Sequence, residues 1–373
     1  MIKTQSQLFE DENGSLAPYA IRSSQSRGRK HKEAKDPYRT PFQRDRDRIM
    51  HSKAFRRLGG KTQVFVSQQG DHFRSRLTHS IEVSQVARGI ARALGLNEDL
   101  CESIALAHDL GHTPFGHAGE EAMSDMMIRF DDVFEHNEQS RRVVMHLETK
   151  SPDYPGLNLS FETIEGMMKH RSKHDDGKTP VIHSLEAQVV DLADAIAYHH
   201  HDLDDGLRSG ILHYESLHES VELWQMATDE LSLTELGEDL YRHIAINRVI
   251  SILINDVIEY SDAKIQDQQL LTPLQEPRSV IQYSQKVQER ADQLADFLGQ
   301  HFYLNERITS EAVKGQKVIK YLFQLYSEKD ELLPQSVRAL FLLEKRHIVI
   351  KDYIAGMTDA FAKHRFEEYK DLL

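Results

Sequence analysis

Apolar residues recur at three- and four-residue intervals along most of the chain, which is the spacing of one buried face on an α-helix. Ile49, Phe55 and Leu58 begin the pattern, which Gly59-Gly60 breaks. Val64, Phe65 and Val66 suggest a short extended piece. Thr78 is placed to cap a helix running to about Leu94 and ended by Gly95, and residues 98–110 continue as a second helix closed at Gly111. Further helices are predicted over 117–130, 136–148, 161–170, 184–204, 233–262 and 279–298, with loops at Tyr154-Pro155-Gly156 and Asp175-Asp176-Gly177. Strand-type alternation is scarce and no internal repeat is visible, so the expected fold class is all-α. Residues 1–40 are polar and lack periodicity, which reads as a basic arm. The expected organisation is this arm, a catalytic core over 41–210, and a helical region over 211–373 packed on that core.

Composition narrows the setting. The 373 residues hold a single cysteine, Cys101, which excludes a disulfide framework and any multi-cysteine zinc site. No apolar run is long enough for a membrane span and the first fifteen residues lack a signal-type stretch, so a cytoplasmic protein without a membrane partner is expected. The net charge of −13 argues against wholesale wrapping of nucleic acid. Between Ile21 and Lys61, however, fourteen Lys/Arg face four Asp/Glu, a local surplus suited to a polyanionic ligand.

The most informative pattern lies within the periodic stretches. His79, the doublet His108-Asp109, and Asp194 fall in three separate predicted helices. Two neutral imidazoles and two carboxylates can hold one divalent cation and leave positions for water and substrate. An Asp at the end of an apolar helix such as SIALAHDL is costly without a partner, which favours a site over a core histidine with an accidental neighbour. Mn²⁺ and Mg²⁺ lead the candidates, with Fe, Co and Ni behind them, because this donor set is not selective on its own. Around the doublet, His112 and His117 flank a turn, Glu120 lies three residues beyond His117 on the same helical face, and His136 opens the next helix. A histidine oriented by a carboxylate is a general acid/base unit. On the Asp194 helix, Asp191, Tyr198 and Asp202 share its face, offering a stacking ring and an acceptor for a sugar hydroxyl. His199, His200 and His201 point around the helix and read as surface or supporting residues.

These residues resemble the HD-domain superfamily, and more closely its deoxyguanosinetriphosphate triphosphohydrolase-like (dNTPase) branch. The resemblance is carried by PFQRDRDRIMHSKAFRRLGGKTQVF at 41–65, RSRLTHSIEVSQVARGIA at 74–91, LAHDLGHTPFGHAGE at 106–120, FEHNEQS at 134–140, AYHHHDLDDGLRSG at 197–210 and DYIAGMTDAFAKHR at 352–365. It implies hydrolysis of a dNTP, dGTP or several dNTPs, between the 5′ oxygen and the α-phosphorus, giving a deoxynucleoside and inorganic triphosphate. It implies that His79, His108, Asp109 and Asp194 are the metal ligands and that His117 with Glu120 is the catalytic dyad. His112 and His136 would line the phosphate side, Arg76 would contact phosphate, Arg57 and Leu58 would read the sugar edge, and Tyr198 and Asp202 would hold the deoxyribose. Arg44, Lys61 and Arg74 are further local cations for a triphosphate. A preference for dGTP does not follow, because the chain is shorter than the strictly dGTP-selective members. The resemblance also implies a homo-oligomer, hexamers included, while the surplus of basic residues beyond one triphosphate's needs suggests a dNTP effector at a subunit interface, and single-stranded DNA is a further candidate partner. The competing readings are another HD phosphohydrolase, a 5′-nucleotidase or phosphodiesterase, and a nucleotide- or ssDNA-binding regulator without turnover.

Overall fold

The computed structural model describes residues 2–64, 74–168 and 183–373. Among these residues there are eighteen α-helices and no strand, only three isolated bridges. The fold is all-α. Phe65 and Val66, the Asp175-Asp176-Gly177 loop and the end of the 161–170 helix lie outside the described residues.

Two compact units can be distinguished. The first comprises Met1–Arg48, His79–Leu106 and Leu159–Asn305. Its central element is Leu185–Arg208, whose Leu185, Val189, Val190, Ala193, Ile196, Ala197 and Leu203 are buried at helical spacing. Ser184 caps it by accepting from the Ala187 amide. Glu238–Asp267 and Gln285–Leu298 pack against this helix. The stretch expected as one helix over 233–262 is divided, because Gly237 adopts φ 74° between Leu233–Leu236 and Glu238–Asp267. Residues of the basic arm are folded into this unit. A helix spans Gln5–Ser15 with a capping box from Thr4 and Gln7, and Glu12 accepts from the Ser23 amide at 3.1 Å. Its contacts are largely polar, so hydrophobic periodicity gives no sign of it.

The second unit comprises Ile49–Thr78, Ala107–Asn158 and Glu306–Leu373. Its core gathers Phe115, Met123, Met126, Met127 and Phe134 with Ile319, Leu322, Phe323, Leu325 and Tyr326, then Ile350 and Ile354. Each such side chain contributes about 1.5–3 kcal/mol on burial. The helix Gly116–Ile128 lies along Glu306–Glu328, which also meets Arg346–Ala355 and Asp359–Tyr369. The Ile49–Leu58 pattern resolves into Pro41–Met50 and Lys53–Leu58, separated where Ser52 accepts from the Phe55 amide at 3.0 Å. The helix expected to start at Thr78 starts at Arg76, with Ser75 and Thr78 exchanging side-chain-to-amide bonds at 3.1 and 3.4 Å. Thr78 is therefore the inner partner of a reciprocal cap rather than the cap itself.

Candidate active site

The helix Glu98–Ala107 ends just before the His108-Asp109 doublet, and from there a tight loop of the second unit leads to Gly116–Ile128. The loop is held from below. Phe115 sits in the left-handed region at φ 66°, a conformation that costs about 1–3 kcal/mol for a residue with a side chain. Asp359, at the start of the last helix, offsets that cost by accepting from the Phe115 amide at 3.0 Å and from the Thr62 amide at 3.1 Å. Gly119 lets the first helical turn close on the loop, since a Cβ there would meet the Pro114 carbonyl oxygen at 1.9 Å. Lys61 is buried and donates to the carbonyls of His112 and Ala355. Burial, then the nearby Arg76, lowers its ammonium to about 7. Expected as a cation for a triphosphate, Lys61 instead fastens the loop. Arg44, in the first unit, is likewise engaged by Glu33 at 2.9 Å.

Asp109 is the electrostatic centre of this loop. Its Oδ2 accepts from Arg76 Nη1 at 2.9 Å, and its Oδ1 faces His108 Nε2 at 3.2 Å and His112 Nδ1 at 3.1 Å. All four side chains are buried. Burial alone would raise the carboxyl, but His108, His112 and Arg76 together hold it well below the usual carboxylate range. Burial, then Arg76, pushes His112 well below the ordinary imidazole value, so its ring is neutral. Imidazole nitrogens around a buried carboxylate make a donor set that a divalent cation fits.

His112 stacks on His136 with ring centroids 3.9 Å apart. His136 donates through Nδ1 to Glu120 Oε1 at 2.9 Å, and its amide reaches the same oxygen at 2.8 Å. His117 Nδ1 is 3.9 Å from Glu120 Oε2, within ion-pair reach but beyond a hydrogen bond, and its side chain is 62% exposed. Burial would raise Glu120, yet His117 and His136 outweigh it and hold the group far down as a carboxylate. The structure thus joins His112, His136 and Glu120 tightly and leaves the His117 ring extended into solvent. Arg57, exposed, lines a cavity of about 720 Å³ with Lys53, Lys61, Leu110, Glu148 and Tyr353, while Leu58 is fully buried.

In the first unit, His79 Nε2 lies 2.8 Å from Asp194 Oδ1, again an imidazole nitrogen against a carboxylate. On the same face, the Tyr198 ring lies 6.1 Å from that of Tyr303, and the Tyr303 hydroxyl donates to Asp202. Burial and then the Asp202 charge raise the Tyr303 phenol, which stays protonated as that donor. Sequence reasoning missed Tyr303, which lies a hundred residues from Asp202 outside any recognisable pattern. It also missed Asp359, for which the Thr-Asp pair opening a helix was the available signal.

Residues 76–199 match the family model described as HD domain, and residues 281–368 match the phosphohydrolase-associated domain. Over 376 residues the chain is 43% identical to the deoxyguanosinetriphosphate triphosphohydrolase-like protein of Geobacter metallireducens, covering 96% of this chain and 97% of that one. The chain belongs to the deoxyguanosinetriphosphate triphosphohydrolase-like family. Two other members of this family, from Geobacter sulfurreducens and Ralstonia nicotianae, are 44% and 45% identical over 96% and 95% of the chain and 97% and 95% of their own lengths. As a triphosphohydrolase-like protein of the HD type, it is a phosphohydrolase. The HD match spans His79, His108, Asp109, His112, His117, Glu120, His136 and Asp194, and the associated match takes in Tyr303 and Asp359. Among the described residues of this triphosphohydrolase-like chain, no helix is long and apolar enough to cross a membrane.

Proposed function

We propose that the protein is a metal-dependent dNTP triphosphohydrolase, with His79, His108, Asp109 and Asp194 as ligands of one divalent cation, Mn²⁺ or Mg²⁺ in first place. The observation that carries this reading is the Asp109 carboxylate, buried, anionic and faced by two imidazole nitrogens at 3.1 and 3.2 Å. When bound, the cation neutralises phosphoryl charge and polarises the α-phosphoryl group. The chain's own residues do the rest. Arg76 fixes the Asp109 carboxylate and lies beside the phosphate position, while His112 and His136 form a stacked wall along it. Glu120 anchors His136 and sits within ion-pair reach of His117, so these two side chains are placed to move a proton. Water adds to the α-phosphorus as the bond to the 5′ oxygen breaks, and the proton lost by water ends on that oxygen. Tyr198 and Asp202, the latter positioned by Tyr303, hold the deoxyribose, and Arg57 reads its edge, while the buried Leu58 does not reach it.

The test is incubation of the protein with each dNTP and Mn²⁺, with the phosphate products resolved by ion chromatography. Intact triphosphate and deoxynucleoside are expected. Orthophosphate or pyrophosphate would replace this reading with another HD phosphohydrolase reaction, and absence of turnover with single dNTPs and with mixtures would leave the regulator. The same reading includes a cytoplasmic homo-oligomer activated by a dNTP effector. Exposed Leu342 and Leu343 supply an apolar patch of the sort subunits cover. Sedimentation with and without dNTPs checks this.

A further inference from the structure

Two helices of the first unit carry a chain of polar contacts that leads to His79 and that the proposed chemistry does not itself use. His79 and Glu82 lie three residues apart on Arg76–Ala93, and Asp194 and His201 lie seven apart on Leu185–Arg208, so each pair shares a helical face. His79 and His201 are both buried, with ring centroids 5.1 Å apart and edge-on. His201 Nε2 contacts Glu82 Oε2, His201 Nδ1 faces His79 Nδ1 at 3.3 Å, and His79 Nε2 faces Asp194 Oδ1 at 2.8 Å. His200 Nδ1 adds a second contact to Glu82 Oε2 at 3.2 Å.

We propose that Glu82 and His201 are positioning residues that fix the tautomer of His79 and present its Nε2 lone pair beside Asp194. The argument follows the protons. A carboxylate only accepts, so the His201 nitrogen against Glu82 carries the hydrogen. His201 Nδ1 is the atom left to face His79 Nδ1, and a hydrogen donated across that contact from His79 leaves the His79 Nε2 lone pair 2.8 Å from the Asp194 oxygen, where one cation can lie against both. The relay thus prepares His79 as a ligand through the nitrogen that faces Asp194, in the manner by which outer carboxylates orient metal-binding imidazoles. The proposal rests on the metal reading above and adds residues outside its ligand set.

The test is calorimetric titration of Mn²⁺ into the metal-free full-length protein and its Glu82→Gln, Glu82→Asp and Asp194→Asn variants, with thermal melts confirming folding. Glu82→Gln is expected to weaken Mn²⁺ binding by about 10–100-fold, Glu82→Asp to recover part of that loss, and Asp194→Asn to weaken it at least as much as Glu82→Gln. Unchanged affinity in Glu82→Gln alongside a loss in Asp194→Asn would overturn the positioning role while leaving the metal site standing. Two cations per chain in the wild type and one in Glu82→Gln would make Glu82 a ligand and overturn the proposal as stated. No binding by the wild type would overturn the metal reading itself. A second readout needs no variant protein to survive: ¹⁵N spectra of histidine-labelled metal-free wild type at pH 8, with His79 assigned by difference from His79→Gln. A protonated Nδ1 and bare Nε2 are expected. A protonated Nε2 would refute the relay.

Discussion

Replacing Gly111 by alanine tests whether the His108-Asp109 turn and the helix carrying His136 are locked together. A Cβ at residue 111 would lie 2.1 Å from the Ser140 nitrogen, 2.4 Å from the His136 carbonyl oxygen and 2.5 Å from the Gln139 carbonyl carbon. All three are backbone atoms of His136–Arg142 and its start, so no side chain can rotate aside. Relief requires the helix to retreat by roughly 1–2 Å, to reach an ordinary contact of about 3.5–4 Å. That retreat breaks a two-bond bridge, in which Ser140 Oγ accepts from the Gly111 amide at 2.8 Å and donates to the His108 carbonyl at 2.7 Å. Overpacking costs about 1–3 kcal/mol. Each buried bond lost adds about 1 kcal/mol, or up to about 3 where a group is left unsatisfied. Gly111→Ala should therefore lose on the order of 3–6 kcal/mol, a large share of a typical stability of about 5–15 kcal/mol. Ser140→Ala removes the bridge without the clash and should lose about 2–3 kcal/mol. Urea unfolding with linear extrapolation measures both. The reasoning fails if Gly111→Ala stays within 1 kcal/mol of wild type, or if it is milder than Ser140→Ala.

Tyr303→Phe should lower the unfolding free energy by about 1.5–3 kcal/mol, the value of a hydrogen bond to a charged acceptor, and an unchanged denaturation midpoint would show that the Tyr303–Asp202 bond contributes nothing. Lys61 should produce a pH slope. Its folded value is about 7 against 10.5 for the free side chain, so between these values the unfolded chain binds the extra proton. Stability from this site should then rise with pH by about 1.4 kcal/mol per unit and be flat below pH 7. Lys61→Met should flatten the difference between urea midpoints at pH 7.5 and pH 9.5, and identical slopes in the two proteins would refute the assignment.

The helices were legible because burial imposes a period on the sequence. Leu185–Arg208 shows it at nearly every turn, and its predicted start and end moved by only a few residues. The His108-Asp109 doublet was legible for a related reason, since ionisable groups at the end of an apolar helix demand partners. Partner choice was less visible. Glu120 sits three residues from His117, yet its hydrogen bonds go to His136, because rotamers and the approach of a second helix decide which imidazole it meets. Arg76 and Lys61 read as cations for a ligand, and folding commits one to Asp109 and the other to two carbonyls. The division into two compact units depends on contacts between distant segments, which no local periodicity encodes. The Gln5–Ser15 helix is held by caps and polar bonds and so carries no apolar stripe to detect.

The Asp359 carboxylate has a consequence for synthesis. It is 244 residues downstream of the Phe115 amide and 297 downstream of the Thr62 amide that it secures. At ribosomal speeds of about 5–20 residues per second, the loop bearing His112 and His117 waits on the order of 10–50 s for the group that holds its left-handed residue in place. A nascent chain therefore carries the whole HD signature long before the carboxylate that fastens its loop has been made.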